Sequence, residues 1–495
     1  MFSMKKDILV ISSIILLSTL LGLSVLTYGQ AWYGDFSSYI MQARSILSGT
    51  MNEFLVHNAF TVDHSTLLVG PVAYPWGYPT LLAPAYALYG MKPIYLKLPN
   101  IVLFALFLAC FFVLLRRRLD LLDSALLTAV AGFSPAFVTF LDQILSDIPF
   151  LLFSTLSLLL IDLVVEPNRP RKQLWIWNVI LGVAIFWAFF TRTNGILLLP
   201  VLAIYQFFNY FQPERDWIAL KKNLGMLILP YATFGILAAG ALLIFPGGQA
   251  SYFSHYALLD MAQLSSNLHY YSTLMGDFFA GLPASQAIYY VAVAFFVLGA
   301  LATFRREYHF VSYIVLSLLL FVTWPEPQGL RFIFPLIPLF LYFSYRGMKW
   351  SLTKLSVGYQ PLGKGFVYGW WGLIALLFLV SSVQTAYTNL ADQRAINGPF
   401  DPYSNAMFEF VRQETPAESV IVFFKPRVMQ MLTSRDSLLI DRCNLLGQGD
   451  YVVINTKRDE KYGQVNPNEL PACNPDLASE PVFSNRRFVV YQVLK

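Results

Sequence analysis

Long apolar runs recur through the first 390 residues of this chain, at positions 8–26, 101–115, 150–165, 196–208, 224–245, 287–301, 311–322, 332–343 and 370–380. A bilayer span needs roughly 20 mostly apolar residues, so with one more span before Asp142 and one before Thr191 the count comes to about eleven. Lipid offers the backbone no hydrogen-bond partners, so such runs can only be helices. Only 13% of the 495 residues are charged, about half the share usual in soluble domains. The chain reads as an all-α polytopic membrane protein.

The basic residues set its sidedness. Clusters stand at Lys5 and Lys6, Arg116 to Arg118, Arg169 to Lys172, Arg215 with Lys221 and Lys222, Arg305 and Arg306, and from Arg346 to Lys364. They occupy alternate loops and hold 17 Lys and Arg, against five (Arg44, Lys92, Lys97, Arg192, Arg331) in the intervening short loops. The positive-inside rule puts the first group and the amino terminus in the cytoplasm, and the polar tail outside. The net charge of +5 follows from this asymmetry and does not point to nucleic acid. A cleaved signal peptide is the rival reading of the first run, but that run is long and no small-x-small site follows it.

The division expected is a transmembrane domain over residues 1–388 and a small extracytoplasmic α/β domain over 389–495. In the tail, Asp401-Pro402 opens a helix as N-cap and first helical residue. Strands are expected at 419–424, 451–456 and 487–494, and a short helix at 427–434. Lys425-Pro-Arg427 reads as a solvated basic turn, with contact to a lipid phosphate as the alternative. Cys443 and Cys473 both lie outside, where a disulfide is permitted, and two separate thiols are the alternative. Cys110 sits in a span and reads as packing.

The first outer loop, residues 28–93, is long for a connector and too apolar for disorder. It begins Asp35-Phe-Ser-Ser-Tyr39-Ile-Met-Gln-Ala43-Arg44. Helical spacing puts Asp35, Tyr39 and Ala43 on one face, and a helix lying along the membrane surface fits. Tyr74-Pro-Trp-Gly-Tyr-Pro79 then breaks regular structure. A second long outer loop carries His255, Asp260, His269 and Asp277.

Charged residues near lipid are paired, solvated or functional. Asp35 and Asp147 stand at the outer ends of apolar segments, and each also suits a plain helix cap. Asp142 competes with Asp147. Arg192, Arg331 and Arg44 suit phosphate, whose oxygens fit a guanidinium fork; snorkelling to the interface, or pairing along a helix, is the alternative. Tyr39, His255 and His269 are further candidates for a cavity.

These motifs together resemble the GT-C membrane glycosyltransferases, in particular the group of protein O-mannosyltransferases and aminoarabinose lipid A transferases. The resemblance rests on the Asp35 helix, on Tyr74-Pro-Trp-Gly-Tyr-Pro-x-Leu-Leu-Ala-Pro84, on Ser146-Asp147-Ile-Pro149, on Thr191-Arg-Thr-Asn-Gly195, and on Gln328-Gly-Leu-Arg331-Phe-x-x-Pro335. It implies an enzyme of the outer face that moves a sugar from a polyprenyl phosphate to a glycolipid, glycan or protein, with Asp35 in the place of the family's base. Phe36 stands where protein mannosyltransferases carry Glu, and no Lys precedes Pro75. Both departures favour a bacterial cell-envelope acceptor, with the bacterial inner membrane as location. The resembled group varies in metal use; Asp35 and Asp147 would suit Mg²⁺ or Mn²⁺ together with phosphate oxygens. A transporter or flippase of lipid-linked sugars is the alternative; repeat symmetry and mid-span charges would mark one.

Overall fold

The computed structural model describes residues 4–164, 171–210, 217–247, 260–324, 327–354, 359–457, 463–466, 470 and 480–494. Its helices, in chain order, are α1 (Met4–Val25), α2 (Asp35–Ser48), α3 (Met51–His64), α4 (Gly77–Tyr89), α5 (Pro93–Leu96) and α6 (Leu98–Arg116). There follow α7 (Leu121–Phe133), α8 (Pro135–Leu141), α9 (Asp147–Val164), α10 (Arg171–Thr191), α11 (Leu198–Tyr210) and α12 (Trp217–Ile244). The last group is α13 (Met261–Leu274), α14 (Ser285–Val322), α15 (Leu330–Ile333), α16 (Ile337–Leu352), α17 (Gln360–Ala391), α18 (Pro402–Glu414) and α19 (Pro426–Thr433).

Among the described residues, seven helices are long and apolar enough to cross a bilayer, or eight if α7 and α8, bent by 51° at Ser134, form one span. The chain is an integral membrane protein. Every apolar run of the sequence lies in a helix, but the partition differs from one helix per run. The runs 196–208 and 332–343 fall in helices shorter than a full span. Runs 287–301 and 311–322 occupy two helical stretches of α14 that meet at a kink at Glu307 (φ −115°, ψ 23°), next to the break expected at Arg305 and Arg306.

Exposed apolar side chains on these helices, such as Leu9, Val102, Leu243 and Leu376, face outward as lipid requires. Inside, one aromatic and aliphatic core joins α1, α6 to α10 and α14 to α17. The crossing of α14 and α16 depends on small residues. A Cβ on Gly299 would lie 1.9 Å from the Phe343 carbonyl oxygen, and one on Gly347 would lie 1.8 Å from that of Phe295. Backbone-to-backbone approach of this kind is how membrane helices gain packing energy without a hydrophobic driving force.

The tail builds five short strands, β1 (Ile421–Val422), β2 (Ser437–Leu438), β3 (Tyr451–Asn455), β4 (Phe483–Ser484) and β5 (Phe488–Gln492), in the order β2-β1-β3-β5-β4. β1 runs parallel to β2 and β3, while β5 is antiparallel to β3 and β4. Asp401 caps α18, accepting from the backbone N–H of Tyr403 and Ser404 at 3.0 Å each, and Pro402 fills the first helical position. The expected disulfide falls partly on Cys473, which lies outside the described residues; the Cys110 thiol is free.

The tail and the first outer loop share one core. Trp32, Phe36, Tyr39 and Ile40 pack with Met407, Phe408, Phe423, Phe424, Val428 and Phe488. Helix α2 is therefore buried on nearly every side. What covers it is the tail, about 370 residues further along the chain.

Candidate active site

Five segments bring charge together at one end of the helical body. Asp35 is the first residue of α2, after Gly34, and its carboxylate makes no capping bond. Instead Oδ1 accepts from the Tyr74 hydroxyl at 2.7 Å, and Oδ2 accepts from Arg331 Nη1 at 2.8 Å. Gln42, one turn beyond Tyr39, fixes the Tyr74 loop by bonding both its backbone groups, at 2.8 and 3.2 Å.

Asp147 opens α9 and is only 1% exposed at its side chain. Its Oδ1 accepts from Arg192 Nη1 and, at 3.2 Å, from Arg331 Nε, while Arg331 Nη2 stands 3.2 Å from Oδ2. Arg331 thus forks between the two carboxylates. Arg192 extends from the end of α10 between the rings of Phe332 and Phe150, with its Cζ 5.4 and 6.0 Å from their centroids. Gly329, at φ +68°, reverses the chain just before Arg331; a side chain there would be strained. Tyr39 joins α2 to the approach to α9 through a 2.9 Å hydrogen bond between its hydroxyl and Ser146.

Electrostatically, burial pushes the Asp35 carboxyl up, but the charge of Arg331, then the hydrogen bonds from Tyr74 and Arg331, and finally Arg427 outweigh it and hold the group below its ordinary value. Burial, and next the Asp35 charge, push the Tyr74 hydroxyl well up, so it stays a donor.

Behind Tyr74 stands a tail residue. Arg427 of α19 is 3% exposed. It donates to Asn58 Oδ1 at 3.0 Å and to the Pro71 carbonyl, and its Cζ lies 5.7 Å from the Tyr74 ring centroid. The expected solvated turn is, at Arg427, a buried strut between tail and first loop. A basic residue beside a proline carries no sequence signal for this, because its acceptors come from segments far away in the chain. Tyr74 likewise read as a structure breaker, and only its carboxylate partner reveals more.

Asp142 is not with this cluster. It accepts from Lys97 Nζ at 2.7 Å, from the Thr27 backbone N–H at 2.7 Å and from the Thr27 hydroxyl at 2.8 Å. Lys97 is fully buried and also bonds the Thr27 and Gly29 carbonyls, at 3.2 and 2.6 Å. This closed knot ties the end of α1 to α6 and leaves Lys97 without room for a phosphate. Arg44 and His269 are exposed, on α2 and α13, outside the cluster of bonds. His255 lies outside the described residues.

The carboxylates of Asp35 and Asp147 do not fit a bridging divalent ion in this arrangement, because the Arg331 guanidinium fills the space between them. Among the described residues no group of three or more His, Cys, Asp or Glu is placed to hold a metal.

No family model and no curated protein matches the sequence. Solved structures do. ArnT from Cupriavidus metallidurans in the apo state superposes with a TM-score of 0.60 at 13% identity, covering 99% of this chain and 98% of that one. ArnT bound to undecaprenyl phosphate gives 0.58 at 13% identity, over 99% and 98%. The Archaeoglobus fulgidus oligosaccharyltransferase in its apo form gives 0.59 at 11% identity, over 90% of this chain and 69% of that one. Another structure of that oligosaccharyltransferase is a complex with Zn and sulfate. The chain thus shares the overall fold of these proteins, with ArnT over 99% of its length.

Proposed function

We propose that the chain is a membrane glycosyltransferase that moves a sugar from a polyprenyl-phosphate donor to a cell-envelope acceptor at the outer face. The observation that carries this reading is the fork of Arg331 between Asp35 and Asp147, with Arg192 beside it, at one end of a GT-C helical body. Two guanidiniums suit the leaving phosphate, whose charge grows as the sugar departs. A carboxylate suits the acceptor hydroxyl, a poor nucleophile until its proton is taken. Support for the lipid comes from the neighbours: ArnT was solved with undecaprenyl phosphate, and the archaeal enzyme with an inhibitory peptide and a dolichol-phosphate.

In this reading the donor phosphate draws Arg331 and Arg192 onto its oxygens. Arg331 then leaves Asp35 Oδ2, which accepts the proton of the acceptor hydroxyl. The hydroxyl oxygen bonds to the anomeric carbon as the bond from that carbon to the phosphate oxygen breaks. Polyprenyl phosphate leaves with the electron pair, and the single displacement inverts the anomeric centre. Tyr74 holds Asp35 in place, and Asp147 keeps the two arginines aligned. The two expected domains, 1–388 and 389–495, would act as a unit, since the tail closes over the loop that bears Asp35. The cytoplasmic amino terminus and the bacterial inner membrane belong to the same reading.

The test uses full-length protein in proteoliposomes with a panel of labelled polyprenyl-phosphate sugars and an envelope glycolipid fraction. The wild type should transfer label and Asp35→Asn should insert and fold but not transfer. Full transfer by Asp35→Asn sinks the base role. Sugar crossing the vesicle membrane without transfer would favour a flippase.

A further inference from the structure

Helices α6, α9 and α16 run from the end of the helical body that bears the aspartate cluster to a second charged site at the other end. From Leu98 to Arg116, α6 covers about 28 Å at 1.5 Å per residue, close to the thickness of a bilayer's hydrocarbon core. At that far end lies a cavity of about 310 Å³ lined by five basic side chains, Arg116, Arg117, Arg118, Arg346 and Lys349, and by Leu119, Asp120 and Asp123.

Its cations are not equally committed. Lys349 pairs with Asp123 at 2.6 Å, Arg116 with Asp7 at 3.3 Å, and Arg118 with Asp162 and Glu307 at 2.6 and 2.9 Å. Arg117 stands 3.9 Å from Asp162 and, like Arg116, has further partners. Arg346 is in no ion pair among the described residues, and its Nε is buried without a hydrogen-bond partner. A buried guanidinium donor left unmade costs stability, and an anionic oxygen would satisfy it. On α6 and α7 stand exposed apolar side chains: Leu122, 59% exposed at the start of α7 and next to Asp123, and Val113, 46% exposed and one turn before Arg117.

We propose that this cavity binds a phosphate group, supplied by the headgroup of an anionic phospholipid of the leaflet opposite the aspartate cluster. Basic pockets between membrane helices on the cytoplasmic side take such headgroups, and a planar guanidinium fork matches phosphate oxygens. Leu122 and Val113 would receive the start of an acyl chain. The site is separate from the donor site, from which the length of α6 divides it, and it stands whether or not the chain transfers sugar.

The experiment measures lipid retention by native mass spectrometry of full-length protein released from nanodiscs of phosphatidylglycerol and phosphatidylcholine in equal parts. The wild type should retain phosphatidylglycerol over phosphatidylcholine by about tenfold or more, and the double variant Arg117→Gln/Arg346→Gln should lose most of that preference. Arg117→Lys/Arg346→Lys should keep part of it. A parallel arm follows thermal stability of delipidated protein with inorganic phosphate against chloride at equal ionic strength. Stabilisation by phosphate, lost in the Gln variant and without lipid selectivity, would keep the phosphate site but overturn the lipid as its source. Equal retention of both lipids with no phosphate effect would overturn the site altogether and leave these residues as snorkelling anchors. A wild type without selectivity or phosphate effect overturns the site even if the Gln variant fails to fold, and the Lys variant then carries the localisation.

Discussion

Replacing Arg331 with Met removes the one residue, among those described, that bonds both Asp35 and Asp147. The side chain keeps much of its volume, so the loss is electrostatic. Three contacts disappear: 2.8 Å to Asp35 Oδ2, and 3.2 Å to each oxygen of Asp147. Removing one member of a buried ion pair costs about 3–5 kcal/mol. Asp147 keeps Arg192, Asp35 keeps Tyr74, and the Arg331 side chain is 18% exposed, so water offsets part of the loss. The expected destabilisation is at the lower end, about 3 kcal/mol. The double variant Arg331→Met/Asp35→Asn should recover part of it, because a neutral amide then replaces the stranded carboxylate.

Activity should fall by about a hundredfold or more, the scale of losing one preorganised charge stabiliser. The pH profile of the residual activity separates this account from simple misfolding. Burial pushes the Asp35 carboxyl up and Arg331 is the foremost group holding it down, so the folded value lies below the ordinary one. That depressed value contributes stability above the unfolded pKa of about 3.9, and the contribution is lost as pH falls through the folded value. Without Arg331 the carboxyl rises, and the acid limb of kcat/KM must move to higher pH. Transfer measured from pH 4 to 8 in proteoliposomes, beside a thermal-shift series of both variants, checks each part. An unmoved acid limb with wild-type transfer would refute the reasoning.

Three further outcomes follow from the packing. Arg427→Ala leaves Asn58 and the Pro71 carbonyl without their buried donor and should cost about 2–4 kcal/mol, near the loss expected for a broken buried charged network; protease accessibility of the tail should rise and kcat should fall more than KM changes. Lys97→Met should be among the most damaging single changes, by about 3–5 kcal/mol, because it strands Asp142, and Lys97→Met/Asp142→Asn should fold better than Lys97→Met alone in detergent thermal unfolding. Gly347→Leu should break the crossing of α14 and α16, with loss of monodisperse protein on size exclusion, whereas the same change at Gly372, which meets nothing within 4 Å, should be tolerated.

Much of this protein is legible in the sequence because lipid imposes so strict a rule. Apolar runs must be helices, and alternating basic loops order them, so helix positions and the shared face of loop and tail needed no tertiary information. The capping chemistry of Asp401-Pro402 fixed α18 in the same local way. What the sequence left open was partnership. Asp147 and Asp142 compete as residues at helix ends, and neither they nor Asp35 reveal their partners by spacing. The fold does, by placing Arg331 between Asp35 and Asp147 and Lys97 against Asp142. Arg427 reads as a solvated turn until the tail's core is seen to close over α2. Backbone and lipid decide where helices form, since both act locally. Which charge meets which is decided by contacts between residues hundreds of positions apart, and only the packed structure brings those together.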